Sequence, residues 1–233
     1  HIASHDLKEP LRRLSGLSSI LREDYGDKLD ASGVGLLNRI TSLCGRMDNL
    51  INNLLYFSEL ENEKSARQET DLNEIISGIR QMLEFSLKEK NARLVVPRPL
   101  PRIVCNSTRI TEVFRNLITN AINHNDKKEP LVEIGFLENI ETHNGPEKNV
   151  FYVRDNGRGI EPQYQHIIFT MFKKAPPPQG TGLPIDQKSG TGVGLAFSKK
   201  IIERHNGHIW LESEPGKGTT FYFTLNPKAA ARG

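Results

Sequence analysis

The sequence predicts an α+β protein in which a helical hairpin precedes an α/β sandwich, with helices on one face of a mixed sheet. Two observations predict this fold. Apolar residues recur at helical spacing from Leu7 to Leu60, whereas short β-rich runs and two amphipathic helices follow after residue 70. Those strands and helices do not alternate strictly, which disfavours a Rossmann fold.

The hairpin consists of two apolar series. The first series contains Leu7, Leu11, Leu14, Leu17 and Leu21, and the second contains Leu37, Ile40, Leu43, Met47, Leu50, Leu54, Phe57 and Leu60. The first helix should end near Gly26. Because each stripe is too wide for one partner helix, we expect two hairpins to pair into a dimeric four-helix bundle. The alternative is that the stripes pack onto the second domain.

The expected domain boundaries follow from composition and periodicity. The hairpin covers residues 1–63, a polar linker 64–70, the second domain 71–228 and a tail 229–233. Asp71 with Glu74 forms a capping-box-like start to a helix. Further helices are predicted at Ser107–His124 and Val193–His205, and strands at Leu94–Val96, Ile103–Cys105, Leu131–Leu137, Val150–Val153, His208–Ser213 and Thr219–Leu225. Residues 139–148 should form a polar hairpin tip, and residues 175–189 a mobile lid.

Composition excludes several classes of protein. Hydrophobic residues make up 36% and charged residues 25%, which is typical of a globular chain, and the net charge is only +3. Basic and acidic residues alternate, so a nucleic-acid binder is not expected. Cys44 and Cys105 form no disulfide or zinc pattern, which favours a reducing, cytoplasmic setting. No run is apolar enough to span a membrane, and the start at His1 reads as a cut within a longer protein with an upstream sensor or anchor.

Three side-chain amides share one face of the helix predicted at Ser107–His124. Asn116, Asn120 and Asn123 are spaced by four and three residues. Amide oxygens suit Mg²⁺ that phosphates and waters already hold, although such a row is also compatible with a solvated face.

Two glycine-containing segments are candidates for a ligand site. Asp155, followed by Gly157 and Gly159, ends a strand and exposes a carboxylate that could accept a hydrogen bond from the amine of adenine; the alternative is a simple turn. Residues 190–195 read Gly-Thr-Gly-Val-Gly-Leu and run into a helix, whose N–H groups could receive phosphate. A GxGxG segment alone is weak support for such a site.

The order of these segments resembles a known family. The Asn-bearing helix, the Asp155 turn, Ile168–Phe172, the lid and the GxGxG segment closely resemble the N, G and F boxes of the histidine kinase ATP-binding domain, which has the Bergerat (GHKL) fold. Ser4–Arg12 resembles the phosphoacceptor motif of phytochrome-type kinases, with His5, Asp6 and Pro10 at the expected spacing. Together the two resemblances cover nearly the whole chain.

The resemblance implies an activity, its cofactors and its partners. ATP with Mg²⁺ would phosphorylate His5, with Asp6 as general base or orienting group, and the phosphoryl group would pass to a response regulator. Asn120 and Asn116 would support the metal in a homodimeric enzyme. The implied nucleotide-binding residues are Asn116, Asn120, Asn123, His124, Asp155, Gly157, Gly159, Ile160, Phe169, Phe172, Gly190, Thr191, Gly192, Val193, Gly194 and Leu195.

The chain departs from the family pattern at a few positions. Asn123 and His124 stand where many relatives have Lys-Tyr, which leaves phosphate contact and adenine packing there open. Glu9 replaces the Thr or Asn that relatives use to hold a hydrolytic water, so weak phosphatase activity is expected. The rival functions are an ATPase clamp of the same fold and a kinase-dead dimerisation scaffold.

Overall fold

The structure is a computed structural model that describes residues 2–62, 66–142, 145–173 and 192–226, with side chains from residue 8 onward except at 59, 61 and 62. It divides into two compact units, 1–63 and 64–233. The helices are α1 (Ile2–Tyr25), α2 (Ala31–Asn62), α3 (Leu72–Met82), α4 (Glu84–Glu89), α5 (Ser107–Asn123), α6 (Pro162–Gln165) and α7 (Gly194–Arg204). The strands are β1 (Gln68–Asp71), β2 (Arg93–Val95), β3 (Arg102–Cys105), β4 (Leu131–Thr142), β5 (Gly145–Asp155), β6 (Ile209–Glu214) and β7 (Gly218–Thr224).

The first unit is the predicted helical hairpin. A short 3-10 turn at Gly26–Lys28 ends α1 near the expected residue, and the Asp30 carboxylate accepts a hydrogen bond from the N–H of Gly33 in the first turn of α2. Leu11, Leu37 and Cys44 are buried. None of the described helices combines the length and apolar character needed to cross a bilayer.

The second unit is built on a five-stranded sheet in the order β2-β4-β5-β7-β6. Strand β2 runs parallel to β4, and the other neighbours are antiparallel. Phe151 on β5 and Phe223 on β7 stack with ring centroids 5.5 Å apart. Phe114 of α5 contacts both rings edge-on, at 6.4 and 5.4 Å, so α5 covers this face of the sheet.

Helices α3 and α7 pack beside α5. The packed side of α5 consists of fully buried residues, namely Ile110, Val113, Phe114, Leu117 and Ile118, which leaves the amide face turned away from the sheet. The prediction of an α+β fold, with a hairpin followed by a helix-and-sheet sandwich, is therefore confirmed.

The structure corrects part of the predicted linker. Residues Gln68–Asp71 form β1, which pairs antiparallel with β3. Only Thr70 of this strand is buried, so the segment carries no apolar alternation, and backbone pairing alone gives it strand structure. Asp71 caps α3 as expected, because its side chain accepts a hydrogen bond from Asn73 N–H. Strands β4 and β5 also extend into the predicted polar tip, to Thr142 and from Gly145.

Candidate functional site

Asp155 lies at the end of β5 and is held by backbone donors. Its Oδ1 accepts hydrogen bonds from Gly157 N at 2.8 Å and Thr219 N at 3.3 Å. Burial raises the pKa of this carboxyl to about 6, although the two N–H groups act in the opposite direction. No described residue bonds to Oδ2. Asp155 can therefore accept one further donor at a fixed position.

The turn after Asp155 requires glycine at two positions. A Cβ at Gly157 would lie 2.9 Å from Asp155 Oδ1 and 3.1 Å from His124 O. Gly159 has φ +71°, and its Cβ would meet Glu214 O at 2.2 Å. Ile160 is fixed by its N–H, which donates to Ser213 Oγ at 2.8 Å. The predicted Asp-x-Gly-x-Gly segment is thus a tightly packed turn rather than an open surface turn.

The three amides of α5 differ in their surroundings. Asn116 is half-buried and donates from Nδ2 to Gly194 O at 3.3 Å, which joins α5 to the first residue of α7. Asn120 is also half-buried, and no described side chain bonds to it. Asn123 is exposed and accepts a hydrogen bond from Lys90 Nζ at 2.9 Å. Asn116 therefore contacts the glycine segment directly, whereas Asn123 lies at the exposed end of the row.

His124 caps the C-terminal end of α5 and faces the Asp155 turn. Arg158, within that turn, has its Nη2 3.1 Å from His124 Nδ1. Because a guanidinium only donates, Nδ1 is the acceptor and the imidazole carries its proton on Nε2. This contact fixes the ring next to Gly157 and Asp155.

The described part of the GxGxG segment forms the start of α7. Gly192 has φ +72°, and its carbonyl accepts a hydrogen bond from Phe172 N at 2.9 Å. Helix α7 begins at Gly194 without a side-chain cap from Val193, and among the described residues none caps its first N–H groups, which could receive an anion. Leu195 is half-buried in this first turn. Gly190, Thr191 and the predicted lid lie outside the described residues.

The two phenylalanines predicted before the lid differ in packing and exposure. Phe169 packs edge-on against Phe221, with ring centroids 6.2 Å apart. Phe172 is 45% exposed and has φ +64°, an unusual conformation for a large side chain. His5 and Asp6 lie within α1, but their side chains are outside the described set.

Comparison with protein families matches both units. Residues 105–229 match the family of histidine kinase-, DNA gyrase B-, and HSP90-like ATPases, and residues 1–63 match the His Kinase A (phospho-acceptor) domain. The chain belongs to the histidine kinase-, DNA gyrase B-, and HSP90-like ATPase family. The relatives that match this chain by sequence include sensor histidine kinases, and the predicted relationship to phytochrome-type kinases is confirmed.

Similar proteins cover nearly the whole chain. Cyanobacterial phytochrome B of Nostoc sp. is 45% identical over 97% of this chain, and the sensor protein ArcB of Escherichia coli is 28% identical over 98%. The chain spans 28% of the length of either relative. The crystal structure of full-length ShkA in complex with AMPPNP aligns with a TM-score of 0.62 at 22% identity, covering 98% of this chain and 46% of that one. This likeness supports the histidine kinase fold.

Sequence reasoning missed two residues of this ATPase-family site. Thr219 donates its backbone N–H to Asp155, and Gly218 has φ +111° with space for no Cβ, since that atom would lie 2.0 Å from Asp155 O. The segment Gly216–Thr219 reads Gly-Lys-Gly-Thr before a strand, which is a detectable turn signal. Its relation to Asp155 depends on β5–β7 pairing, so spacing alone could not reveal it.

Proposed function

We propose that this chain is an ATP-dependent, autophosphorylating protein histidine kinase of a two-component system. His5 would receive the γ-phosphoryl group of ATP and pass it to an aspartate of a response regulator. The observation that carries this proposal is the pairing, in one chain, of a phosphoacceptor domain containing His5 with an ATPase-family cradle centred on Asp155. Either part alone would support a binding function but not phosphoryl transfer.

This cradle, formed by the turn at residues 155–159 and the first turn of α7, suits adenine and phosphate at separate points. Asp155 Oδ2 would accept a hydrogen bond from the exocyclic amine of adenine, where guanine would present a carbonyl oxygen. The N–H groups at the start of α7, near Gly192 and Gly194, would receive the phosphates. Full-length ShkA, which shares this fold, is described in complex with AMPPNP.

The amide pair on α5 fits a metal ion that arrives with the nucleotide. Asn120 is half-buried without a described partner, and Asn116 uses its Nδ2 to bond Gly194, which leaves Oδ1 as an acceptor. The described residues contain no cluster of three His, Cys, Asp or Glu side chains that would hold a metal alone. Mg²⁺, when bound, would neutralise phosphate charge during transfer. Asn120 and Asn116 would orient it through hard, neutral oxygens.

His5 would act as a nucleophile through one ring nitrogen. Asp6 would accept the N–H of one nitrogen, and the lone pair of the other would attack the γ-phosphorus. The new N–P bond forms as the bond from the γ-phosphorus to the β,γ-bridging oxygen breaks, and ADP leaves with that oxygen. Neighbouring side chains on a helix do not face each other, so the contact between His5 and Asp6 would form in the transfer complex.

Exposed apolar residues on the hairpin support a homodimer. Leu17 on α1 and Leu36 on α2 are 59% and 58% exposed, and Ile40, Leu43, Met47, Leu50 and Leu54 continue the α2 stripe. A continuous apolar stripe of this kind usually marks an interface. A second hairpin would cover it and complete a four-helix bundle.

Glu9 supports weak phosphatase activity towards a phosphorylated response regulator. It stands where relatives use Thr or Asn to hold a hydrolytic water, and its carboxylate pairs with the Arg13 guanidinium on the next turn of α1.

We further propose that the kinase acts in the cytoplasm, where the buried thiols of Cys44 and Cys105 would stay reduced. Because the relatives are longer, we further propose an upstream sensory domain in the complete protein.

Incubation of the chain with ATP labelled at either the α- or the γ-phosphate tests the activity. We expect an acid-labile, base-stable label from γ-labelled ATP only, absent in His5→Gln. Release of ADP without label would instead indicate an ATPase clamp, and failure to bind ATP would indicate a scaffold. Asp155→Ala should weaken ATP binding by about 10- to 100-fold, because a charge-assisted hydrogen bond is lost. Asp126→Ala, at an exposed acid paired with Lys127, is the matched control.

A further inference from the structure

A lysine from another helix contacts the end of the amide row on α5. Lys90 Nζ donates to Asn123 Oδ1 at 2.9 Å and lies 3.4 Å from the carbonyl oxygen of Ile122. We propose that Lys90 is a nucleotide-binding residue whose ammonium pairs with a phosphate of bound ATP, and that Asn123 is the positioning residue that holds it there. This inference rests on the proposed function.

The row of amides leads from the phosphate end of the site to Lys90. Asn123 follows Asn116 by seven residues, about two helical turns, so the two side chains project from nearly the same side of α5. Asn120 lies between them on that face. The proposed adenine site at Asp155 lies beside His124, and the proposed phosphate site at the start of α7 lies beside Asn116. ATP that joins the two sites would run along this face, and the phosphates nearest the ribose would pass Asn123 and Lys90.

The backbone around Lys90 fixes the base of its long side chain. Lys90 is the C-cap of α4, and Asn91 follows it in a left-handed conformation with φ +50°. Ala92 N donates to Leu87 O at 2.8 Å, and Arg93 N donates to Pro130 O at 2.8 Å at the start of β2. These bonds hold the residue between two packed elements. The bond from Nζ to Asn123 Oδ1 restrains the other end of the side chain, so less rotamer entropy is lost when the ammonium meets a ligand.

The charge on Lys90 is not neutralised within the described residues. No carboxylate there lies within ion-pair distance of it, whereas Lys88 on the same helix pairs with Glu84. The two oxygens that contact Lys90 are neutral, and the ammonium has a further N–H that could donate to an anion. ATP is a polyanion, and the amides and N–H groups of the site carry no net charge.

A second cation lies at the same end of α5. Arg158 contacts His124, the residue after Asn123, and no described carboxylate pairs with it. Two cations thus converge on two consecutive residues, where the α5 sequence itself provides only an amide and an imidazole. The helix dipole alone would also favour cations at this C-terminal end, and only a phosphate contact would make Lys90 matter for ATP and not for adenosine.

Titration of ATP and of adenosine into the full chain tests this inference. Lys90→Gln should weaken ATP binding by about 3- to 10-fold, as expected for a partly exposed charged contact, and leave adenosine binding unchanged. Lys88→Gln is the matched control and should change neither. Asn123→Ala should lose part of the ATP affinity. The double variant, Lys90→Gln with Asn123→Ala, should bind ATP no more weakly than Lys90→Gln alone, because both changes remove the same contact.

The outcomes separate this inference from the proposed function. Unchanged ATP affinity in Lys90→Gln, or an equal loss for ATP and adenosine, overturns the assignment of Lys90 while the parent chain still binds ATP. A parent chain that binds no ATP overturns both. A shallower salt dependence of ATP affinity in Lys90→Gln, absent in Lys88→Gln, supports a direct charge contact.

Discussion

The two units differ sharply in how they bury large apolar side chains. In the hairpin, Leu17 and Leu36 are 59% and 58% exposed, whereas in the second unit Phe114, Phe151 and Phe223 are 1% exposed or less. Two antiparallel helices share only one contact seam, but a helix layer on a sheet encloses a core. The second unit therefore encloses its own core, whereas the hairpin leaves an apolar stripe that the proposed second hairpin would cover.

The largest expected effect is on association of the hairpin. Leu43→Asp places a charge in the exposed apolar stripe of α2, twice per symmetric dimer. Lost burial and the cost of a desolvated carboxylate should weaken the dimer by at least about 100-fold. Sedimentation over a range of concentrations measures this loss. Asn38→Asp, on the opposite side of α2, should leave the dimer intact; a monomeric parent chain would contradict the proposal.

The next effect concerns the cradle of the second unit. Gly218→Ala forces a Cβ against Asp155 O at a φ of +111° and should cost about 3 kcal/mol of unfolding free energy. Gly216→Ala, at φ +81° but in open space, should cost only about 1 kcal/mol. Urea unfolding followed by the fluorescence of Trp210, the single tryptophan, compares them. Equal losses would show that the close approach to Asp155 carries no strain.

A smaller effect concerns pH and Asp155. Its pKa is raised from 3.8 to about 6 in the fold, so the folded state binds more protons between these values. The stability contributed by this group is present at low pH and is lost as pH rises through about 6. Relative to Asp155→Asn, the parent should be about 1 kcal/mol less stable at pH 8 than at pH 5. A pH-independent difference between the two chains would contradict the burial of this carboxyl.

The smallest expected effect is that of removing the hairpin. The free energy of unfolding of a chain of residues 64–233 should lie within about 0.5 kcal/mol of that of the same unit in the full chain, because the core of this unit is internal. Thermal unfolding followed by Trp210 fluorescence measures the comparison. A large loss of stability would show that the second unit needs the hairpin and would remove the contrast between them.

Local sequence signals predicted much of the fold and part of the site. Helical periodicity predicts both ends of α5 and of α7 to within one residue, and the sequence also identifies Asp71 as the cap before α3. The Asp155 turn was found because glycines at fixed offsets from a strand end indicate a constrained backbone. These features depend on residues close together in the chain.

Features that depend on distant residues were not predictable. Strand β1 has polar residues and exists through pairing with β3, and Thr219 reaches Asp155 through the β5–β7 ladder. Lys90 meets Asn123 across two helices, and no spacing in the sequence indicates that contact. Helix periodicity placed Asn123 with the other amides but could not show that it is exposed.

Mapping the phosphoryl group on the intact chain tests the central claim most directly. After incubation with Mg-ATP at alkaline pH, peptides are separated and the modified residue is assigned by fragmentation mass spectrometry. We expect one phosphoryl group on the peptide containing His5, and much less of it in Asp155→Ala at an ATP concentration near the dissociation constant of the parent chain. A phosphoryl group on another residue, or ADP formation with His5 unmodified, would contradict it.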